Sequence, residues 1–252
     1  MKFRYPGWLL AGALLAASVP VQAQVKIGVI TSGTGATAFV GIPQKNTVAL
    51  LPRKIGDLGV EYVSYDDASD STQTVQLTKK LLSEDKVDAI IGPSGSPNAM
   101  AVLQFIAEAK TPMLAPVGTS AVVLPMDDNK RWAYKTHPND DVIADGLVEA
   151  MKARGVKTVG FIGYNDPYGE NWYKVFAPMA EKAGLKIVAH ESYSRQDTSV
   201  TGQVLKLIAA QPDAVMVAGV AAGAALPHMQ LVDSGYKGPI FHTHGSASGA
   251  FI

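Results

Sequence analysis

The sequence predicts an α/β protein made of two doubly wound parallel-sheet lobes that a hinge joins. Short apolar segments alternate with amphipathic helical segments along the chain, which is typical of repeated βαβ units. Several apolar segments end in loops rich in Gly, Ser and Thr. The alternation then restarts after residues 137–140, which we interpret as the hinge. Because open α/β sheets bind ligands at the carboxyl ends of their strands, the cleft between the lobes is the predicted site.

The predicted elements follow in chain order, with Pro43 at the first turn of a helix, where proline is tolerated. In the first lobe the strands lie at 25–30, 60–65, 87–91, 112–115 and 132–136, and the helices at 42–51, 71–82 and around 100–107. In the second lobe the strands lie at 157–162, 186–191, 214–218 and 239–242, and the helices at 141–154, 172–183, 201–210 and 224–234. The acid pairs Asp66/Asp67 and Asp127/Asp128 are interpreted as solvated turn or cap residues.

Two hydroxyl-rich loops follow neighbouring strands of the first lobe. One loop spans residues 92–97 and precedes a helix, and the other spans residues 116–120. Free N–H groups at a helix start, beside Ser and Thr hydroxyls, favour an anion such as a carboxylate. We therefore expect both loops to contribute to an anion site at one sheet edge.

Composition excludes several classes of function. Lys+Arg and Asp+Glu both number 22, so the charge balance gives no indication of a nucleic-acid partner. Cysteine is absent, which excludes a disulfide framework, a thiolate nucleophile and a cysteine metal site.

The N-terminus predicts export. Lys2 and Arg4 precede an apolar run of small residues at 8–19, and residues 21–23 fit a signal-peptidase site with cleavage after Ala23. The run is shorter than the roughly 20 apolar residues that a membrane span needs. Residues 1–23 are therefore predicted to be a signal peptide, and the mature protein periplasmic, with no stable membrane insertion.

Motifs along the mature chain resemble a known family, the type I periplasmic solute-binding proteins of the branched-chain amino acid class, which are receptors of ABC importers. The resemblance is carried by segments 27–33, 91–96, 115–119, 164–169 and 231–238, in the expected order. It implies a receptor without enzymatic activity or cofactor, which binds a small carboxylate and docks on a membrane permease. It also implies a first lobe at 24–138, a second at 139–245, and a crossover beginning at 246–252. Because such receptors continue further, we expect a chain incomplete at its C-terminus.

The resemblance also implies the ligand-binding residues. Ser96 would receive the ligand carboxylate, with the backbone of Val117 and the hydroxyl and N–H of Thr119 beside it. The remaining predicted wall residues are Phe39, Val40, Tyr168 as a lid, and Val220. Local sequence alone favours helix capping or turn formation for Ser96 and Thr119, and the resemblance reverses that preference.

One position departs from the family pattern. His244 stands where the family keeps an acid for the ligand's ammonium group, although a shift in register would place His242 there instead. A neutral imidazole is a poor substitute for a carboxylate facing an ammonium group, and a protonated one would repel it. The departure favours an aromatic carboxylate without an amine, such as a benzoate, hydroxybenzoate or cinnamate. An aliphatic amino acid is the alternative, and it would require an acid from the absent C-terminal segment.

Alternative functions leave weaker signals. Residues 33–38 match the dinucleotide pattern G-x-G-x-x-A, but the predicted helix begins too late. Residues 92–96 narrowly miss the G-x-S-x-G elbow of a secreted hydrolase. His242 and His244 lie on one strand face but lack an acidic third metal ligand. A sensor lobe that signals rather than transports is the remaining alternative.

Overall fold

The protein is built from two β-sheets, each packed against α-helices. The computed structural model describes residues 24–249 and Phe251, so the predicted signal peptide lies outside the described residues. Within that part of the chain, ten strands form two sheets and seven α-helices pack around them. We call the first sheet with α1–α3 the first lobe, and the second sheet with α4–α7 the second lobe.

The first lobe has six strands in the order β2-β3-β1-β4-β5-β6, and all neighbours are parallel except β2 and β3. Its strands are β1 (Gln24–Thr31), β2 (Lys54–Ile55), β3 (Leu58–Asp66), β4 (Ala89–Ile91), β5 (Met113–Ala115) and β6 (Ala133–Lys135). Its helices are α1 (Ala38–Val48), α2 (Ser71–Lys80) and α3 (Ser96–Ala109).

The second lobe has four parallel strands in the order β10-β9-β7-β8. Its strands are β7 (Thr158–Tyr164), β8 (Lys186–Tyr193), β9 (Ala214–Ala218) and β10 (Ile240–His242). Its helices are α4 (Asp140–Ala153), α5 (Pro167–Lys182), α6 (Thr201–Ala209) and α7 (Ala222–Asp233). The predicted two-lobed parallel architecture is confirmed, and the division after residue 138 stays a prediction.

Each lobe has its own apolar core. Ile30, Ile90 and Met113 are fully buried in the first, and Phe161, Trp172 and Phe176 in the second. The described helices are all too short, or not apolar enough, to cross a membrane.

Helices α1 and α5 begin earlier than the sequence pattern predicts. Helix α1 begins at Ala38 rather than Ile42, and α5 begins at Pro167 rather than Trp172. The predictions were wrong because Gly41 and Gly169 look like loop residues. Both lie inside their helices, where a Cβ would come within 2.0 Å of a backbone oxygen of the preceding strand exit. Close packing of helix on strand therefore requires these glycines, and it places Phe39 and Tyr168 on first helical turns.

Asp67 is not the solvated turn residue that the sequence suggests. Its side chain is fully buried. The carboxylate accepts hydrogen bonds from Ser32 Oγ at 2.7 Å, Thr74 Oγ1 at 2.9 Å and Asn98 Nδ2 at 3.1 Å. It also accepts one from the backbone N–H of Ser69 at 3.0 Å. The interpretation failed because local sequence does not show that β1, α2 and α3 converge on this carboxylate.

Hydrogen bonds join the two lobes near Asp140. Asp140 Oδ2 accepts hydrogen bonds from the backbone N–H of Ser120, at 2.9 Å, and from Asn171 Nδ2 in α5, at 2.6 Å. Thr119 Oγ1 donates to the backbone oxygen of Pro167 at 3.3 Å. The loop after β5 is therefore fixed to the start of α5.

Candidate functional site

A cavity of about 330 Å³ lies between the carboxyl edges of the two sheets. Both lobes line it, as expected for a ligand held between them. The lining residues are Thr37, Phe39, Val40, Pro43, Gln44, Ser94, Gly95, Ser96, Pro116, Val117, Gly118, His137, Tyr168, Arg195, Val220, His244, Gly245, Ala247 and Ser248.

Seven of the eight predicted site residues line this cavity: Phe39, Val40, Ser96, Val117, Tyr168, Val220 and His244. The structure places Thr119 outside the lining, where it is fully buried. Its Oγ1 accepts a hydrogen bond from the backbone N–H of Ala121 at 3.2 Å and donates to Pro167. The Thr119 hydroxyl is thus committed to its own turn and to the contact between lobes.

Ser96 is the first residue of α3, so it brings a hydroxyl and the positive end of a helix to the cavity. Its Oγ accepts a hydrogen bond from the backbone N–H of Thr119 at 3.4 Å. The neighbouring Ser94 Oγ accepts one from the backbone N–H of Ser32 at 3.0 Å. The loop before α3 is therefore tied to β1 and to the loop after β5, which positions its donors before a ligand arrives.

His244 lies close to three other ring side chains. Its ring centroid lies 5.8 Å from that of Trp172, 6.4 Å from Tyr168 and 6.0 Å from His137. Burial lowers the pKa of His244 to about 4, with smaller contributions from His137 and Lys135. Its Nδ1 is buried without a hydrogen-bond partner in the described residues. His244 is therefore neutral at pH 7 and can exchange a hydrogen bond with a neutral polar group.

His242 lies outside the cavity lining. Its Nε2 lies 2.9 Å from Nδ1 of His228, and the two rings stack with centroids 5.1 Å apart. Burial, followed by the charge on His228, lowers the pKa of His242 to about 4. Among the residues that the structure describes, no three metal-ligating side chains come together at this pair or elsewhere.

We expect stability to decrease as the pH falls from 6.5 to 4. Folding depresses the pKa values of His242 and His244 from 6.5, so in this window the unfolded chain binds more protons than the folded one. Both rings are partly solvent-exposed, so the loss should total on the order of 1–2 kcal/mol. Urea denaturation across this range measures it. The double variant H242N/H244N should show a shallower dependence, and an unchanged slope would contradict the assignment.

Arg195 lines the cavity but escaped sequence prediction. Its Nε donates to Asp166 Oδ2 at 2.6 Å, and its guanidinium carbon lies 4.2 Å from the centroid of the Tyr164 ring. The pattern ended the preceding strand at residue 191, whereas β8 continues to Tyr193. A lone arginine two residues beyond a strand, at the carboxyl edge, is the signal that could have identified it.

The cavity lining carries positive charge and no carboxylate. Of the residues that line it, Arg195 has a full charge at neutral pH, and none is Asp or Glu. A second cavity of about 200 Å³ adjoins it and shares Thr37 and Arg195. The second lining is mostly polar and includes Asp166, whose carboxylate accepts hydrogen bonds from Arg195 and from the backbone N–H of Tyr168.

Comparison with known proteins gives consistent results. A family model described as periplasmic binding protein matches residues 24–249. A crystal structure of an extracellular ligand-binding receptor from Rhodopseudomonas palustris HaA2 is 46% identical, with a TM-score of 0.88 over 91% of this chain and 64% of that chain.

Two further relatives are more distant. A Leu/Ile/Val-binding protein homolog 7 from Brucella suis biovar 1 is 26% identical over 91% of this chain and 60% of its own length. A solute binding protein of an ABC transporter from R. palustris, in complex with 4-hydroxybenzoate, is 22% identical, with a TM-score of 0.77 over 91% of this chain and 62% of that chain. The present chain therefore spans about 60% of the length of the relatives it matches.

Proposed function

The chain belongs to the periplasmic binding protein family, which confirms the resemblance seen in its motifs, and from this premise we propose that it is the solute receptor of an ABC importer. Its two lobes would close on a small carboxylate-bearing solute, with the closed form favoured by contacts from both lobes. The proposed location is the periplasm, after cleavage behind Ala23. The proposed partner is the importer's membrane permease, and the protein is a binding receptor rather than an enzyme.

The proposed solute is chosen because the described cavity lining contains no Asp or Glu side chain. Burying an α-ammonium group without a counter-charge would cost several kcal/mol, enough to remove useful affinity. His244 does not supply that counter-charge, because its imidazole is neutral at pH 7. An acid without an amine fits this lining better than an amino acid does.

The walls of the cavity favour an aromatic body. Phe39, Val40, Val117 and Val220 present apolar surface, and the volume is in the range of small-molecule sites. A benzoate, hydroxybenzoate or cinnamate would place its flat ring against these side chains. The neutral imidazole of His244 would then meet a ring hydroxyl. The R. palustris protein that shares this fold was solved in complex with 4-hydroxybenzoate, which supports this class of solute.

We expect aromatic acids, and not aliphatic amino acids, to stabilise the protein. Thermal unfolding of the full-length protein with benzoate, 4-hydroxybenzoate, leucine and valine would compare the classes directly. At 100 times the dissociation constant a ligand stabilises the folded state by about 2.7 kcal/mol, which shifts the unfolding temperature by several degrees. Strong stabilisation by leucine with none by the aromatic acids would refute the proposed solute.

A further inference from the structure

We propose that Arg195 is the carboxylate-binding residue of the second lobe, so that the ligand anion is held between its guanidinium group and the N-terminus of α3. This inference rests on the proposed function and names the specificity-determining residue of the same cavity. It differs from the sequence-based assignment, in which Ser96 and Thr119 of the first lobe receive the carboxylate.

The guanidinium group of Arg195 is held in one orientation. Its side chain is 13% exposed, its Nε donates to Asp166, and its guanidinium carbon lies over the Tyr164 ring. Its terminal nitrogens have no hydrogen-bond partner among residues 24–249 and 251. A fixed guanidinium group with two unused donor nitrogens matches the bidentate geometry that a carboxylate prefers.

Asp166 pairs with Arg195 through one carboxylate oxygen only. Its Oδ1 accepts hydrogen bonds from the backbone N–H groups of Tyr168, at 2.8 Å, and Gly169, at 3.4 Å. The carboxylate is therefore shared between Arg195 and the N-terminus of α5, whose helix dipole adds further positive potential. Asp166 therefore fixes the guanidinium group through its Nε and leaves the terminal nitrogens of Arg195 available to the cavity.

Arg195 borders the same part of the cleft as the start of α3. It lines both cavities, and the segment 94–98 runs along both as well, with Ser96 on the first and Asn98 on the second. His137 and His244 line the first cavity alone. The carboxylate therefore occupies the end next to the second cavity, and the ring points toward His244.

A matched pair of probes tests the proposal on the full-length protein. Benzoate and benzamide have the same ring, but only benzoate carries a charge. By titration calorimetry, the wild type should bind benzoate at least 30-fold more tightly than benzamide, the scale of charge-assisted hydrogen bonds. Arg195→Gln should lose roughly 30-fold for benzoate and little for benzamide. Arg195→Lys should show an intermediate loss of benzoate affinity, because lysine keeps the positive charge but cannot make the bidentate hydrogen bonds of a guanidinium group.

Arg131→Gln is the control, since this arginine is two-thirds exposed and makes only a 3.9 Å ion pair with Asp128. It should bind both probes as the wild type does. Equal binding of the two probes by the wild type would overturn the proposal even if the Arg195 variants fail to fold. If Arg195→Gln binds benzoate with wild-type affinity and the wild-type preference over benzamide, this proposal fails while the proposed function stands. If the wild type binds leucine and neither benzoate nor 4-hydroxybenzoate, the proposed class of solute fails, and if it binds none of these compounds the proposed receptor function loses its support.

Discussion

Substitution of Gly118 by alanine should weaken ligand binding at least 100-fold. A Cβ at this position would lie 2.6 Å from Cε2 of Tyr168 and 3.3 Å from Nε2 of His244, both across the cleft. The Tyr168 ring cannot yield easily, because it is buried and its hydroxyl lies 2.7 Å from Thr243 Oγ1. The methyl group would hold the lobes apart, and affinity falls with the fraction of molecules that can close.

Titration calorimetry with 4-hydroxybenzoate would measure the loss in the full-length protein. Small-angle scattering should show a larger radius of gyration for Gly118→Ala than for the wild type in the presence of ligand. Gly146→Ala is the matched control, because a Cβ there meets nothing within 4 Å. Wild-type affinity in Gly118→Ala would mean that the Tyr168 ring can move aside without cost.

Removing the carboxylate of Asp67 should destabilise the first lobe by about 3 kcal/mol. Asp67→Ala would leave Ser32 Oγ and the backbone N–H of Ser69 without their acceptor, whereas Asn98 Nδ2 would keep its hydrogen bond to Thr74 Oγ1. Buried groups without partners cost roughly 1–3 kcal/mol each. Asp67→Asn keeps the shape and one acceptor oxygen, so its loss should be smaller. Because Ser32 also fixes the loop of Ser94, ligand binding should weaken as well.

Urea denaturation would measure this loss. Asp57→Ala is the control, since Asp57 is exposed in the turn between β2 and β3 and its removal should change stability by less than about 0.5 kcal/mol. A loss below 1 kcal/mol for Asp67→Ala would show that water or a repacked side chain replaces the carboxylate.

The fold was predictable because its signals are local and repeated. Runs such as 87–91 are too short for buried helices, and polar loops separate them from helical patterns. The errors in the helix starts came from packing in three dimensions instead. Gly41 and Gly169 have the composition of loops, but close contacts with the preceding strand exits accompany their place inside helices. Composition alone does not carry that information.

Part of the candidate site was predictable, because its residues lie in loops that directly follow strands and belong to recognisable motifs. Ser96, Val117 and His244 line the cavity because each follows a strand at the same edge of its sheet. Thr119 lies in such a loop as well, but its hydroxyl turns away to Pro167 of the other lobe. Arg195 was missed for the complementary reason, since its orientation depends on Asp166 and Tyr164, which are far away in sequence.

The hydrogen bonds at Asp140 limit how the protein can open. Its carboxylate is buried and joins Ser120 on one side to Asn171 on the other. Separating these groups would leave a buried charge short of donors, at a cost of several kcal/mol. Sliding of one lobe past the other is therefore unfavourable, whereas rotation about this point keeps all three residues together. We therefore expect Asp140 to act as the pivot of lobe opening, with the cleft widening most at the points farthest from it.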